Sequence, residues 1–505
     1  MEICNKFIIG VPYCEIYKPY FIKCLTSLES QNYNNIEIII IVDGFSSDLK
    51  ELYKFIEKKK NYTIFIFKEN NGPAFSKWIL IKYIKNNIHK YSYNDIFCIL
   101  DGDDYIENDA LRIINDLFQK KKCWITFGNA KGKFCDFVIP ENYNSWLNIR
   151  KEKWIYNHLR CFKLHLLLNF VESDFKMDNK WLTKGTDRPL VYNCTEMAGF
   201  DRCVFNEKII YNYMEHENNS YKTVDYKTKM TQINYLSNIV PKPKIIEDIH
   251  IVMCVYKRVD NFEQQINNLN NQTVSNRIVL HVINNNTENK NMHNQMLKSK
   301  NLQFRYNVYE HDNKYYGFQR FLTIRDVLLK KYILDYVIMI DDDQLFDEDW
   351  VEKMYNLRTP QRYFSWYVKK WNNYNLDYWN GSLILSHECK YNVPKELDNF
   401  HFGATCGCII DVNIFNENTE LWNIPTDLPN DVTVYNIEDL WLSYVILNHY
   451  KWKIKRTFLP EKYSFNQKNS ASDAVSLWHQ LKNQKTFLFN KLFTNYIKNE
   501  KNQEC

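Results

Sequence analysis

The 505-residue chain carries no strong excess of either charge: 65 Lys and Arg against 60 Asp and Glu leave a net +5, with the basic residues spread along its length. That excludes both the electrostatic footprint of a nucleic-acid binder and a polybasic membrane patch. No apolar run approaches the roughly 18 residues of a membrane span. The start, Met1-Glu-Ile-Cys-Asn-Lys6, passes directly into strand-like Phe7 to Val11, without the basic segment and apolar core of a signal peptide. A cytoplasmic setting is expected, with host cytoplasm or a virion as the variant if the source is viral, and no integral membrane segment. The 14 cysteines include no Cys-x-x-Cys pair, which argues against the usual zinc sites; Cys98, Cys254, Cys406 and Cys408 lie inside apolar runs and read as buried free thiols. What is abundant is aromatic: 36 Tyr and 31 Phe within an otherwise ordinary globular composition.

A single hydrophobic core stops growing near 250–300 residues, so this length implies two domains or more. From residue 7 apolar strands alternate with amphipathic segments: Phe7 to Val11, a helix near 18–31, Ile36 to Val42, a helix near 47–60, Thr63 to Phe67, a helix near 75–88, and Ile96 to Leu100. The rhythm breaks at Ile239-Val-Pro241-Lys-Pro243-Lys, a stiff solvated connector, and restarts at His250 to Val255. It continues with a helix near 260–270, Ile278 to Ile283, a helix near 289–300, Phe304 to Tyr309, a helix near 319–331, and Tyr336 to Ile340. The spacing predicts an α/β chain of two Rossmann-like, mostly parallel-sheet domains in tandem, 1–240 and 248–505, joined by a linker at 241–247.

In each half the fourth predicted strand ends in an acidic cluster: Asp101-Gly-Asp103-Asp104 and Asp341-Asp342-Asp343. Strands buried on both faces release such side chains together at the carboxyl edge, where α/β sheets bind ligands. Crowded carboxylates repel one another unless a cation joins them, and Mg²⁺ or Mn²⁺ suits their oxygens. A solvated loop or a structural cation is the plainer reading of either cluster alone. Two further loops share the first edge. Val42-Asp43-Gly44 leads into Ser46-Ser47-Asp48, and Glu69-Asn70-Asn71-Gly72-Pro73 leads into a helix start whose N–H groups suit a phosphate. An Asp-Gly turn with a Ser cap is the bland alternative.

Together, Ile9-Gly-Val-Pro-Tyr13, Val42-Asp43-Gly-Phe-Ser-Ser-Asp48, Asn70-Asn-Gly-Pro-Ala74 and Asp101-Gly-Asp-Asp104 resemble the GT-A glycosyltransferases, particularly the inverting enzymes of family 2. The pairing of two such domains and the Glu-Met-Ala-Gly segment also resemble transferases of large DNA viruses. The resemblance implies a metal-dependent enzyme moving a sugar from a nucleotide-sugar donor, a UDP-sugar above all, to a hydroxyl of a glycan or glycoprotein acceptor. It implies that Asp43 and Gly72 meet the nucleotide, and that Asp101 and Asp103 hold ribose and the Mn²⁺ or Mg²⁺ on the diphosphate. It also implies an acceptor base in Gly185-Thr-Asp187…Glu196-Met-Ala-Gly199, Asp187 first and Glu196 second. Asp187 paired with Arg188, or capping a helix, is the alternative. His216 is a further metal candidate, with an ordinary surface histidine as the competing reading.

The second half resembles the same fold. Asp341 and Asp343 stand as its metal motif, Asp341 also touching the donor, and Glu438-Asp439 stands as its base segment, against the plain reading of a charge pair at a helix start. Phe402-Gly403 to Gly407 matches the small-residue floor. His479 is a further metal candidate. Where the first half has Asp43, this half has Asn284 in Ile283-Asn284-Asn285-Asn286, an amide in the nucleobase position. Gly317-Phe-Gln-Arg320 could hold a phosphate. Three alternatives stand beside a bifunctional transferase: one catalytic half with a glycan-gripping partner, a carbohydrate-binding structural or virion protein, and a nucleotidyltransferase. The last lacks the glycine-rich basic loop it needs after Val11 or Val255.

Overall fold

The computed structural model of the chain describes residues 5–14, 18–44, 50–57, 59, 61–132, 138–146, 148–217, 225–371, 378–379, 382–384, 400–457, 464–465 and 480–504. The chain divides into two compact units that meet in sequence at Ile246 and Glu247.

The first unit opens with β1 (Phe7–Tyr13), α1 (Lys18–Glu29), β2 (Ile36–Asp43), α2 (Lys50–Ile56), β3 (Tyr62–Phe67), α3 (Pro73–Asn86) and β4 (Ile96–Ile99). It continues through β5 (Tyr105–Ile106), α4 (Ala110–Lys121), β6 (Ile125–Lys131), β7 (Asn157–Lys163), the small ribbon of β8 (Lys176–Met177) and β9 (Lys180–Trp181), α5 (Arg188–Ala198), β10 (Cys203–Asn212) and α6 (Tyr226–Asn238). The main sheet runs β3-β2-β1-β4-β7-β6-β10-β5. β3, β2, β1 and β4 are parallel, β7 runs antiparallel between β4 and β6, and β10 returns parallel to β6. The run Ile38 to Val42 explains why β2 sits inside the sheet, between β3 and β1. All five side chains are buried, and β-branched residues fit a pleated surface covered on both faces. Pro73 at the first turn of α3 supplies the preset helical backbone that favours proline there.

The second unit repeats the plan: β11 (Ile249–Val255), α7 (Val259–Asn270), β12 (Ile278–Asn284), α8 (Met292–Lys298), β13 (Arg305–Glu310), α9 (Gln319–Thr323), a π turn over Ile324–Leu328, α10 (Leu329–Lys331) and β14 (Tyr336–Asp341). β15 (Gln344–Leu345), α11 (Trp350–Asn356), β16 (Arg362–Ser365), β17 (Val368–Trp371), β18 (Ser382–Ile384), β19 (Phe402–Gly403), β20 (Cys408–Asp411), α12 (Glu438–Asn448), β21 (Lys453–Arg456), β22 (Ser464–Phe465) and a final helix Lys482–Glu504 complete it. Its main sheet runs β13-β12-β11-β14-β20-β16-β21. The same sequence of senses recurs: four parallel strands, an antiparallel insertion, then a parallel pair. The shared order extends across seven strands in each unit, so both acidic clusters leave the fourth strand at equivalent corners.

The helix near 289–300 is shorter than its sequence pattern suggests, Met292–Lys298, while the one near 47–60 is described over Lys50–Ile56. Among the described residues no helix is long and apolar enough to cross a membrane. The described cysteines are free thiols, most of them buried.

Candidate functional site

In the first unit the Asp101–Asp104 turn is pressed against the end of β1. Gly102 N–H donates to Pro12 O at 3.1 Å, and a side chain at Gly102 would strike that same carbonyl, which fixes glycine between the two aspartates. Each carboxylate then meets a different environment. Asp103 is buried and lies 2.8 Å from His216 Nε2. Asp104 accepts from Tyr211 Oη at 2.5 Å and Met214 N at 2.8 Å, so it anchors the returning chain. Asp101 is partly buried. Burial lifts Asp101 to about 6 against the pull of Lys77, and lifts Asp103 above the usual carboxylate range against its bond to His216. Burial and then repulsion from Asp103 and Asp101 bring Asp104 to about 8. His216, for which a surface position was the competing expectation, is buried instead and turned onto the cluster.

Two expectations for the nucleotide end of this edge meet a different geometry. Asp43 is buried, and its two oxygens accept from Asn71 N at 3.0 Å, Gly72 N at 2.8 Å and Ser76 Oγ at 3.2 Å. The Gly72 N–H, expected to face a phosphate, is therefore spent on Asp43. The physical reason is the unpaired N–H groups at the start of α3, which a carboxylate at the end of β2 satisfies.

Asp187 stands at the start of α5, with no side-chain cap bond and no pairing to Arg188. Arg188 lies instead over the Trp154 ring at 4.7 Å. Asp187 is gripped by Lys77 Nζ from α3 and by Arg160 Nη1 from β7, the latter at 3.0 Å, while Lys77 also donates to Thr186 Oγ1 at 3.0 Å. Burial would raise this carboxyl, but Arg160 and Lys77 hold it well below the usual range. Asp101, His158, Arg160, Asp187, Leu190 and Val191 line one small recess beneath the cluster. Burial, with Arg160 adding, keeps the His158 ring neutral far below its usual pKa. Glu196 lies outside that recess lining. It is buried in a two-pronged pair with Arg150 (Nε 2.6 Å, Nη2 2.9 Å) and also accepts from Lys242 N at 2.9 Å. The sequence reading of Glu196 as a base meets a carboxylate already committed to joining the chain around residue 150, α5 and the connector.

In the second unit Arg258, three residues beyond β11, places Nη1 3.1 Å from Asp342 Oδ1 and 3.0 Å from Asp343 Oδ2. Arg320, buried on α9, reaches Asp341 Oδ1 at 3.0 Å and Glu438 Oε1 at 3.7 Å. Arg320, expected to hold a phosphate, also donates to Gly317 O at 3.2 Å and Thr405 O at 3.4 Å. Glu438 and Asp439 occupy the first turn of α12, the expected place for acidic side chains at a helix dipole. Burial pushes Glu438 up to about 7 against Arg320, and raises Asp439 against the charge of the buried Lys485. Burial also lifts Asp342 to about 6 and, with Asp341 and Asp342 adding, Asp343 to about 7. Asn284 is buried, donating to Glu310 Oε2 at 2.7 Å and accepting from Asn286 N at 3.0 Å, so it shapes a turn. His479 lies outside the described residues.

Asp101 and Asp103 offer carboxylate oxygens that suit Mn²⁺ or Mg²⁺, and His216 adds an imidazole nitrogen beside them. Among the described residues no three such groups already converge, so the Asp103–His216 pair is the part in place. In the second cluster the fit fails, since each of the three carboxylates already holds an arginine. Lys77, His158, Arg160 and Arg258 carry no signal in the sequence pattern.

Residues 9–175 match the family described as Glycosyl transferase family 2. Relatives include glycosyltransferase GlyA of Streptococcus pneumoniae, 25% identical over 149 residues that cover 28% of this chain and 20% of the relative. An uncharacterised glycosyltransferase of Haemophilus influenzae is 30% identical over 118 residues, 23% of this chain and 43% of the relative. Chondroitin synthase of Pasteurella multocida is 26% identical over 249 residues, 45% of this chain and 23% of the relative. The matches thus span less than half the length of each of these curated relatives. Among solved structures, Staphylococcus aureus TarS is similar at 18% identity and TM-score 0.33, over 46% of this chain and 39% of that one.

Proposed function

We propose that this chain, whose residues 9–175 match glycosyl transferase family 2, moves a sugar from a nucleotide-sugar donor, expected to be a UDP-sugar, to a hydroxyl of a glycan or glycoprotein. The observation that carries the reading is the Asp101–Asp104 turn, released at the carboxyl edge of a Rossmann-like sheet with His216 drawn onto it. Asp101, Asp103 and His216 would hold Mn²⁺ or Mg²⁺ there, and that cation would neutralise the departing diphosphate.

A single inverting displacement forms one bond from the acceptor oxygen to the anomeric carbon, breaks the bond to the diphosphate, and passes the hydroxyl proton to a carboxylate. A base works best with a pKa near the working pH. Glu438, at about 7, meets that condition in the second unit, and burial raises its neighbour Asp439 in the same direction. Asp187, held far down by Arg160 and Lys77, is a poor proton acceptor. Its ion pairs suit it to fixing those two cations beside Asp101. The specific reading is therefore that the first unit carries the donor and metal motif, while the second unit carries the carboxylate better suited to take a proton from an acceptor bound there.

A screen of nucleotide sugars with Mn²⁺, reading released nucleoside diphosphate with and without glycan acceptors, tests it. Asp103→Asn is expected to lower donor turnover and Asp439→Asn to lower transfer at least a hundredfold. If neither substitution changes either readout, the proposal fails.

A further inference from the structure

We infer that the second acidic cluster takes no divalent cation, because Arg258 already supplies the positive charge that would join its carboxylates. One guanidinium nitrogen sits between Asp342 Oδ1 at 3.1 Å and Asp343 Oδ2 at 3.0 Å, a bridging position of the kind a metal ion would occupy. Arg320 takes the remaining member, Asp341, at 3.0 Å, and spends its other donors on Gly317 O and Thr405 O. All three carboxylates are therefore engaged within the folded chain itself. Guanidinium does not lose its proton in proteins, so an arriving Mn²⁺ or Mg²⁺ would have to displace these groups and then remain beside their charge.

The first unit is built the other way. The partner of Asp103 is an imidazole, which when neutral is itself a metal ligand. Among the described residues, the first unit's Arg160 pairs with Asp187 at 3.0 Å rather than bridging the carboxylates of the cluster. On the reading of the first cluster as a metal site, the chain binds one divalent cation, in its first unit.

Counting sites on the metal-stripped full chain, by electron paramagnetic resonance of free Mn²⁺ without nucleotide, tests the inference separately from activity. The wild type is expected to show one site. Asp103→Asn weakens it at least tenfold, and Asp341→Asn leaves it unchanged. Arg258→Gln and Arg258→Met, both made in case one does not fold and both checked by circular dichroism melting, are expected to gain a second site. Arg258→Lys, which keeps the charge, stays at one. Two sites in the wild type, loss of the site in Asp341→Asn, or a count still at one in folded Arg258→Gln overturns the inference. No site in the wild type with one in Arg258→Gln would uphold it while removing the metal reading of the first cluster.

Discussion

Replacing Glu196 by glutamine separates a base from a fastener. The carboxylate accepts from Arg150 Nε at 2.6 Å, Arg150 Nη2 at 2.9 Å and Lys242 N at 2.9 Å, and Arg150 donates further to Leu236 O and Asn193 Oδ1. Both side chains of the pair are under a tenth exposed, at 2% and 7%. Glutamine keeps the shape but removes the charge and turns an amide N–H₂ toward the guanidinium. Breaking one side of a buried pair costs about 3–5 kcal/mol, because the other charge is left uncompensated. With a urea slope near 3 kcal/mol/M for a unit of this size, the midpoint for the first unit should fall by about 1–1.7 M. Urea unfolding followed by circular dichroism measures it, with transfer assayed in parallel on protein kept well below the transition. The double change Glu196→Leu with Arg150→Met should recover much of the loss, since an apolar pair leaves no stranded charge. An unaltered midpoint together with a hundredfold loss of transfer would refute this reasoning and return Glu196 to the role of base.

Transfer should rise with pH through about 7, the value to which burial brings Glu438, because only the ionised carboxylate accepts a proton; a pH–rate profile flat from 5.5 to 8 would count against that base. The second unit should also lose stability in acid. His250 Nδ1 and His281 Nε2 lie 2.9 Å apart in the sheet, and burial holds His250 at about 3 and His281 well below its usual pKa. Lowered histidine pKa values mean the unfolded chain binds protons first, so stability is intact above pH 6.5 and falls below it. The loss is up to about 2–3 kcal/mol per pH unit for the pair. His281→Gln should roughly halve that slope in denaturant melts between pH 6.5 and 4.5. Gly317→Ala should cut transfer by about 10–100-fold with little change in melting, because the added methyl group would collide with the Glu438 carboxylate and displace it from Arg320.

The sheets and their acidic corners were legible because they depend on local pattern. Ile36 to Val42 and Tyr336 to Ile340 are apolar without helical spacing, and each ends where the polar residues begin. The antiparallel insertions were not, for a physical reason visible in β7. Its sequence Asn157-His-Leu-Arg160-Cys-Phe-Lys163 buries two cations, Arg160 and Lys163, so hydropathy hides a central strand. The site's electrostatics were equally hidden. Lys77 reaches Asp187 across 110 residues, His216 reaches Asp103 across 113, and Arg258 reaches Asp342 across 84. Residue type announced the carboxylates, whereas only the fold decides which of them are matched by a cation and which remain available to a ligand.

Asp43 has a consequence for anyone who would alter the choice of donor. Beside the donor role expected of it, its oxygens splice the end of β2 to the start of α3. Changing it would also loosen the joint that carries Lys77 toward Asp187, so an altered ligand preference would not by itself identify a direct contact. Libraries aimed at donor choice are better directed at residues whose side chains the scaffold has not already spent.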